Sequence, residues 1–172
     1  PAMRDPRMCC LDLDTFFGMD PQWIVAPVNV GLQPAFTPEV LEDRGETLLV
    51  RDGDGVTKEE GKFLGSIPRH IDHTLKDRHS WEREFRPRLN GALRERYPSD
   101  WQQRVEDYNR SDRDYPLGIP AGSMYGRIRE WMGLENLSVL VYDDRSLFEE
   151  MVETVTDGVV ESLKPALEGG VQ

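Results

Sequence analysis

Cysteine is almost missing from this chain: Cys9 and Cys10 are the only two in 172 residues. Neighbouring cysteines seldom meet disulfide geometry, so a scaffold stapled by disulfides is excluded and a reducing, cytoplasmic compartment is expected. As a metal pair they lack the two-residue spacer usual in zinc sites. Long apolar runs are missing too. None approaches the roughly 20 residues a spanning helix needs, and "PAMRDPRM" at the start holds no apolar signal core, so no membrane partner is expected. Positive charge is in deficit. With 21 Lys+Arg against 32 Asp+Glu the formal net charge is -11, which leaves no general field for phosphate backbones and makes nucleic acid an unexpected partner.

What is present reads as one α/β domain over residues 1–172 with an antiparallel excursion at about residues 46–75. "WIVAPVNV" from Trp23 to Val30 is apolar and partly β-branched, and Gly31, Pro34 and Pro38 close it, as a buried strand entering a loop would. Thr47–Arg51 followed by Asp52-Gly53-Asp54-Gly55 predicts a strand and a hairpin turn. The polar middle predicts two helices. Ser80 is expected to cap the first, which Pro87 limits, and Ser99 with Gln102 has capping-box spacing for the second, whose Trp101, Val105 and Tyr108 share a face. "YPLGIPAGS" predicts a strand, with Ser123 capping the helix "MYGRIREWMG". "LENLSVLVY" is helix or strand. Leu147, Met151, Val155, Val159 and Leu163 recur every four residues and predict a long amphipathic helix from Ser146 to Leu163.

Several motifs compete for the chemistry. Asp12-Leu13-Asp14-Thr15 after an apolar stretch, with Asp143-Asp144 ending a later one, has the form of a magnesium-dependent phosphatase. Against it, "FFGMDP" is not the small polar turn such a site uses, and Asp143-Asp144 before Arg145 and Ser146 also reads as a helix N-cap. Asp52–Gly55 lacks the further oxygen ligands of a calcium loop. On an extended strand His70 and His73 fall on opposite faces, while His70 and Asp72 share one, so these two are expected to line or flank a groove. At the start of the helix after Ser123, free N–H groups, Arg127 and Arg129, and the rings of Tyr125 and Trp131 suit an organic anion such as a carboxylate. The same arginines could equally offset the acidic surface while the rings fill the core.

Taken together, "FFGMDPQWIVAPVNVGLQPAF", "EVLEDRGETLLVRDGDGVTK", "SIPRHIDHTLKDRHSWE", "RYPSDW", "RDYPLGIPAGSMYGRIREWMGLENLSVLVYDD" and "LFEEMVETVTD" resemble the uroporphyrinogen decarboxylase-like superfamily, and its large bacterial branch most. The resemblance runs from Phe16 to about Leu163. It implies a (β/α)8 barrel. Relatives decarboxylate porphyrinogen acetates without a cofactor or, in the corrinoid-linked methyltransferases, move methyl groups with a bound zinc. A closed barrel needs about 250 residues, so a partial barrel is expected, with opening and later strands outside the chain. The opening on Pro1 rather than Met fits trimmed ends.

In the relatives the segment before "FGMD" is a helix, which would make Asp12 and Asp14 surface residues rather than a nucleophile. The implied pocket corner is "GIPAGSMYG", although it lacks the family's decarboxylase signature. The expected site is therefore Tyr125 and Arg129 for catalysis and Ser123, Arg127, His70 and Asp72 for substrate binding, without metal or cofactor. The expected function is decarboxylase-like (lyase) action on a small organic acid. The alternatives are a corrinoid-linked methyltransferase relative, a non-catalytic small-molecule or protein-binding module, and the phosphatase. A partial barrel exposes cut sheet edges, so a homodimer or higher homo-oligomer is expected.

Overall fold

The architecture is that of a computed structural model, which describes residues 18–19, 24–63 and 67–169. Among the described residues two separate sheets carry the strands. A parallel pair joins β1 (Ile24–Val25) to β6 (Leu117–Gly118), and a four-stranded antiparallel meander runs β2 (Glu39–Asp43), β3 (Thr47–Arg51), β4 (Val56–Gly61), β5 (Arg69–His73). The helices are a short α1 (Arg78–Ser80), then α2 (Trp101–Tyr108), α3 (Met124–Met132), α4 (Leu134–Asp143) and the long α5 (Arg145–Glu168).

The partial (β/α)8 barrel is not found. A barrel wall needs successive parallel strands, each buried between neighbours and covering helices. Among the described residues the parallel pairing is two residues long, Ile24 opposite Leu117 and Val25 opposite Gly118. Ile24 and Val25 are exposed, so the pair does not form the core. On its C-terminal side β1 meets Pro27, which has no N–H for a ladder. Most of the strand residues lie instead in the antiparallel meander. It extends the expected hairpin at both sides, with β2 as an edge strand that the acidic "EVLED" had not announced.

The core lies among the helices. Leu147, Met151, Val155, Val159 and Leu163 form the buried stripe of α5, as their spacing requires, against Trp81, Phe85, Ile128, Trp131, Met132 and Leu137. Asp144 caps α5, its side chain accepting from the Leu147 N–H at 3.0 Å, while Asp143 is the last residue of α4, so the pair straddles a helix–helix junction and only Asp144 is the expected N-cap. The ambiguous "LENLSVLVY" is the helix α4. Asp77, not Ser80, caps α1: its carboxylate accepts from the Ser80 N–H at 2.8 Å, and Ser80 completes the box from the third position. Asp100 rather than Ser99 precedes α2 and makes no side-chain cap, so the expected Ser99–Gln102 box does not form. Around Pro87 the backbone passes from a π-helical turn (Trp81–Phe85) to a 3-10 turn (Arg86–Leu89), since proline offers no N–H to an α ladder.

Arginine side chains fasten the loop that follows β1. Arg96, 2 % exposed, donates to the carbonyls of Asn29, Gly31, Arg88 and Asn90. Arg127 Nη1 donates to the Val30 carbonyl at 2.7 Å, and Arg88 Nη1 to that of Pro34 at 2.7 Å. Three cations from separate segments thus supply the donors that a non-sheet backbone in the interior otherwise lacks. Burial, and then the proximity of Arg127, lowers the pKa of Arg96, and burial lowers that of Arg127 as well.

Candidate functional site

A groove of about 590 Å³ lies between β5 and the α3–α4 junction. β5 contributes His70 to His73, α3 contributes Arg129 and Glu130, and residues 133–136 close the far side. Three of the six expected site residues, His70, Asp72 and Arg129, therefore come together although they lie far apart in sequence. Ser123, Tyr125 and Arg127 stand elsewhere.

Helix geometry explains the separation. Residues two apart on an α-helix point about 200° from each other, so Arg127 and Arg129 cannot serve one small site. Arg127 turns inward to the Val30 carbonyl and packs against Gly122, where a Cβ would lie 2.5 Å from its Nη2. Its Nε is buried without a hydrogen-bond partner among the described residues. Ser123 is the N-cap of α3, its hydroxyl accepting from the Gly126 N–H at 2.9 Å. Tyr125 is exposed one turn before Arg129 on the same side. Trp131 is a core residue whose Nε1 donates to Asp54 at 3.3 Å.

The histidines depart from the strand rule. Lys58 pairs with His70, Thr57 with Asp72 and Val56 with His73, so Ile71 is an extra residue and makes a bulge. Because Val56 and Lys58 share a face, so do His70 and His73, whose rings meet edge to face at 5.7 Å between centroids. Asp72 is turned to the other face. The expectation that His70 and Asp72 share a face is thus reversed by one inserted residue, which period-two counting has no means of seeing. Asp72 lines the groove but is engaged by Lys76 Nζ at 3.0 Å. Burial works against its ionisation, yet the Lys76 ammonium and the His73 N–H outweigh it and hold its carboxyl below the ordinary range.

The free hydrogen-bonding capacity of the groove resides in other atoms. Arg129 Nη2 contacts Glu130 at 3.2 Å with both side chains about half exposed, a pair of little energetic weight. Nε and Nη1 of Arg129 have no partner among the described residues. Asn136 Nδ2 donates to the Met132 carbonyl at 3.1 Å, and its Oδ1 has no partner among the described residues. His73 Nδ1 lies 3.0 Å from the Glu130 carbonyl. Among the described residues no group of three or more His, Cys, Asp and Glu is placed to hold a metal. His73 and Asn136 were absent from the expected site, and only the bulge and the α3–α4 turn bring them to it.

Cys9, Cys10, Asp12 and Asp14 lie outside the described residues. Among the described residues no helix is long and apolar enough to cross a membrane. Comparisons with protein-family models, with curated proteins and with solved structures each found no match to this chain.

Proposed function

We propose that the chain binds a small organic acid in the groove between β5 and the α3–α4 junction, with Arg129 as the principal anion contact and His70 beside it. The observation that supports this best is the convergence of His70 and Arg129, from segments about sixty residues apart, on one groove where two nitrogens of Arg129 have no partner among the described residues. A guanidinium with a free edge is well suited to a carboxylate because its N–H groups match both oxygens. The resemblance of several sequence blocks to the uroporphyrinogen decarboxylase-like superfamily supports the same ligand class and, with it, lyase chemistry on the bound acid. Titration calorimetry with succinate tests the reading. Arg129→Ala is expected to weaken binding by about 1–3 kcal/mol, the usual cost of a lost charge-assisted hydrogen bond. Equal affinity in parent and variant would remove Arg129 from the site.

A second copy of the chain is the protein partner we propose. Val139 and Tyr142 on α4 and Val160 and Leu167 on α5 are exposed, and two-fold pairing of two chains through these helices would cover them. Sedimentation equilibrium across a wide concentration range tests it; a monomer throughout would contradict it. The cytoplasm is the compartment we propose, on the adjacent Cys9 and Cys10.

A further inference from the structure

Resting on the organic-acid reading of this groove, we propose that His73 is the proton-exchanging contact of the site: it takes up a proton as a carboxylate binds and presents Nε2–H to it.

The geometry fixes which nitrogen does this. A carbonyl oxygen can only accept, so the 3.0 Å contact with Glu130 requires Nδ1 to carry the hydrogen. That hydrogen is present in both charge states of the ring, and gain or loss of the second proton falls on Nε2. Nε2 has no partner among the described residues. It lies beside Gly133, whose φ of +84° and missing side chain leave room: a Cβ there would stand 2.9 Å from Nε2. The Ile71 bulge then sets His70 edge-on to the same ring, and Arg129 lines the same groove. In the neutral ring Nε2 is an acceptor and repels a carboxylate lone pair. With a proton taken from solvent it donates to a carboxylate oxygen, and no bond other than N–H is made. The charged groups around His73 are Asp72 and Arg69 on its own strand, Lys58 of β4 opposite His70, Arg129 and Glu130 of α3, and Glu135 of α4. Glu130 and Glu135 disfavour a ligand anion unless a cation compensates them, which gives the protonated ring its part beside Arg129.

Two measurements test this on the full chain. Long-range proton–nitrogen correlation spectra of the imidazoles are expected to show the Nδ1–H tautomer for neutral His73; the Nε2–H tautomer would overturn the inference. Calorimetry with propionate and with succinate is expected to show affinity rising about tenfold between about pH 8 and about pH 5.5, the interval in which imidazoles change charge. His73→Gln should abolish most of that rise, and His70→Gln and Arg129→Ala should retain it. A rise undiminished in His73→Gln, or no rise in the parent, overturns the inference while leaving the organic-acid reading intact. Absence of binding at every pH overturns both. Circular dichroism and thermal melting of each variant establish that it is folded, and the tautomer measurement needs no variant.

Discussion

Asn29 and Arg96 hold each other reciprocally: the Asn29 N–H donates to the Arg96 carbonyl at 2.8 Å, and Arg96 Nη1 donates to the Asn29 carbonyl at 2.8 Å. The guanidinium is almost wholly buried and its other bonds go to the carbonyls of Gly31, Arg88 and Asn90. Among the described residues no carboxylate is bonded to it. Carbonyl oxygens therefore replace its lost hydration, and its removal strands several acceptors at once. Arg96→Ala is expected to destabilise the fold by more than about 3 kcal/mol, and Arg96→Lys by nearly as much, because one ammonium cannot reach four separated carbonyls. Urea titration followed by tryptophan fluorescence checks this; a change below about 1 kcal/mol in Arg96→Ala would contradict it.

Gly158 lies inside α5, where alanine is intrinsically better by about 1 kcal/mol. Packing decides against that gain. A Cβ at Gly158 would stand 2.6 Å from the Leu89 carbonyl oxygen, a backbone atom that cannot swing aside. Overpacking of this kind costs about 1–3 kcal/mol, so Gly158→Ala should be net destabilising. Gly53→Ala is the contrast, for its Cβ would meet Ala35 and the Phe36 carbonyl at ordinary distances of 3.7 and 3.8 Å. It should be neutral or slightly stabilising in the same melting experiment.

Acid should loosen the molecule at its caps and turns. The Ser80 N–H and hydroxyl hold the Asp77 carboxyl below its ordinary range, and the Leu147 N–H, then the Ser146 hydroxyl, do the same for Asp144. At Asp52 burial opposes ionisation, but the Lys58 ammonium and the Val56 N–H outweigh it. A carboxyl whose folded pKa lies below its unfolded value contributes stability above about pH 3.9, the ordinary Asp value, and that contribution is lost as pH falls through the folded value. Urea midpoints should therefore hold steady near neutrality and drop below about pH 4. Asp144→Asn should be less stable at neutral pH and show a shallower acid drop. An unchanged acid limb in that variant would assign the effect elsewhere.

What the sequence discloses about the fold is whatever depends on local spacing. The four-residue period from Leu147 to Leu163 foretells the buried stripe of α5, Asp52–Gly55 foretells the β3–β4 turn, and Ser123 is the expected cap. The bulge at Ile71 has no local signature, and it reverses which of His70, Asp72 and His73 share a face. Asp77 takes the cap expected of Ser80 because both residue types can cap and only the backbone path chooses. The barrel expectation fails for another reason: apolar content around β1 and β6 does not make long strands when prolines interrupt the ladders. Of the site, Arg129, His70 and Asp72 were legible as polar residues in promising places. Their grouping, and the exclusion of Arg127, follow from helix phase and chain path.

We propose the groove between β5 and the α3–α4 junction as the place where a small organic acid binds. A proton–nitrogen correlation titration of the labelled chain with succinate tests it most directly, because each backbone amide reports its own position. Saturable shifts concentrated on residues 69–73 and 129–136 are predicted. Shifts that concentrate around Ser123 and Arg127, or spectra unchanged across the titration, would contradict it.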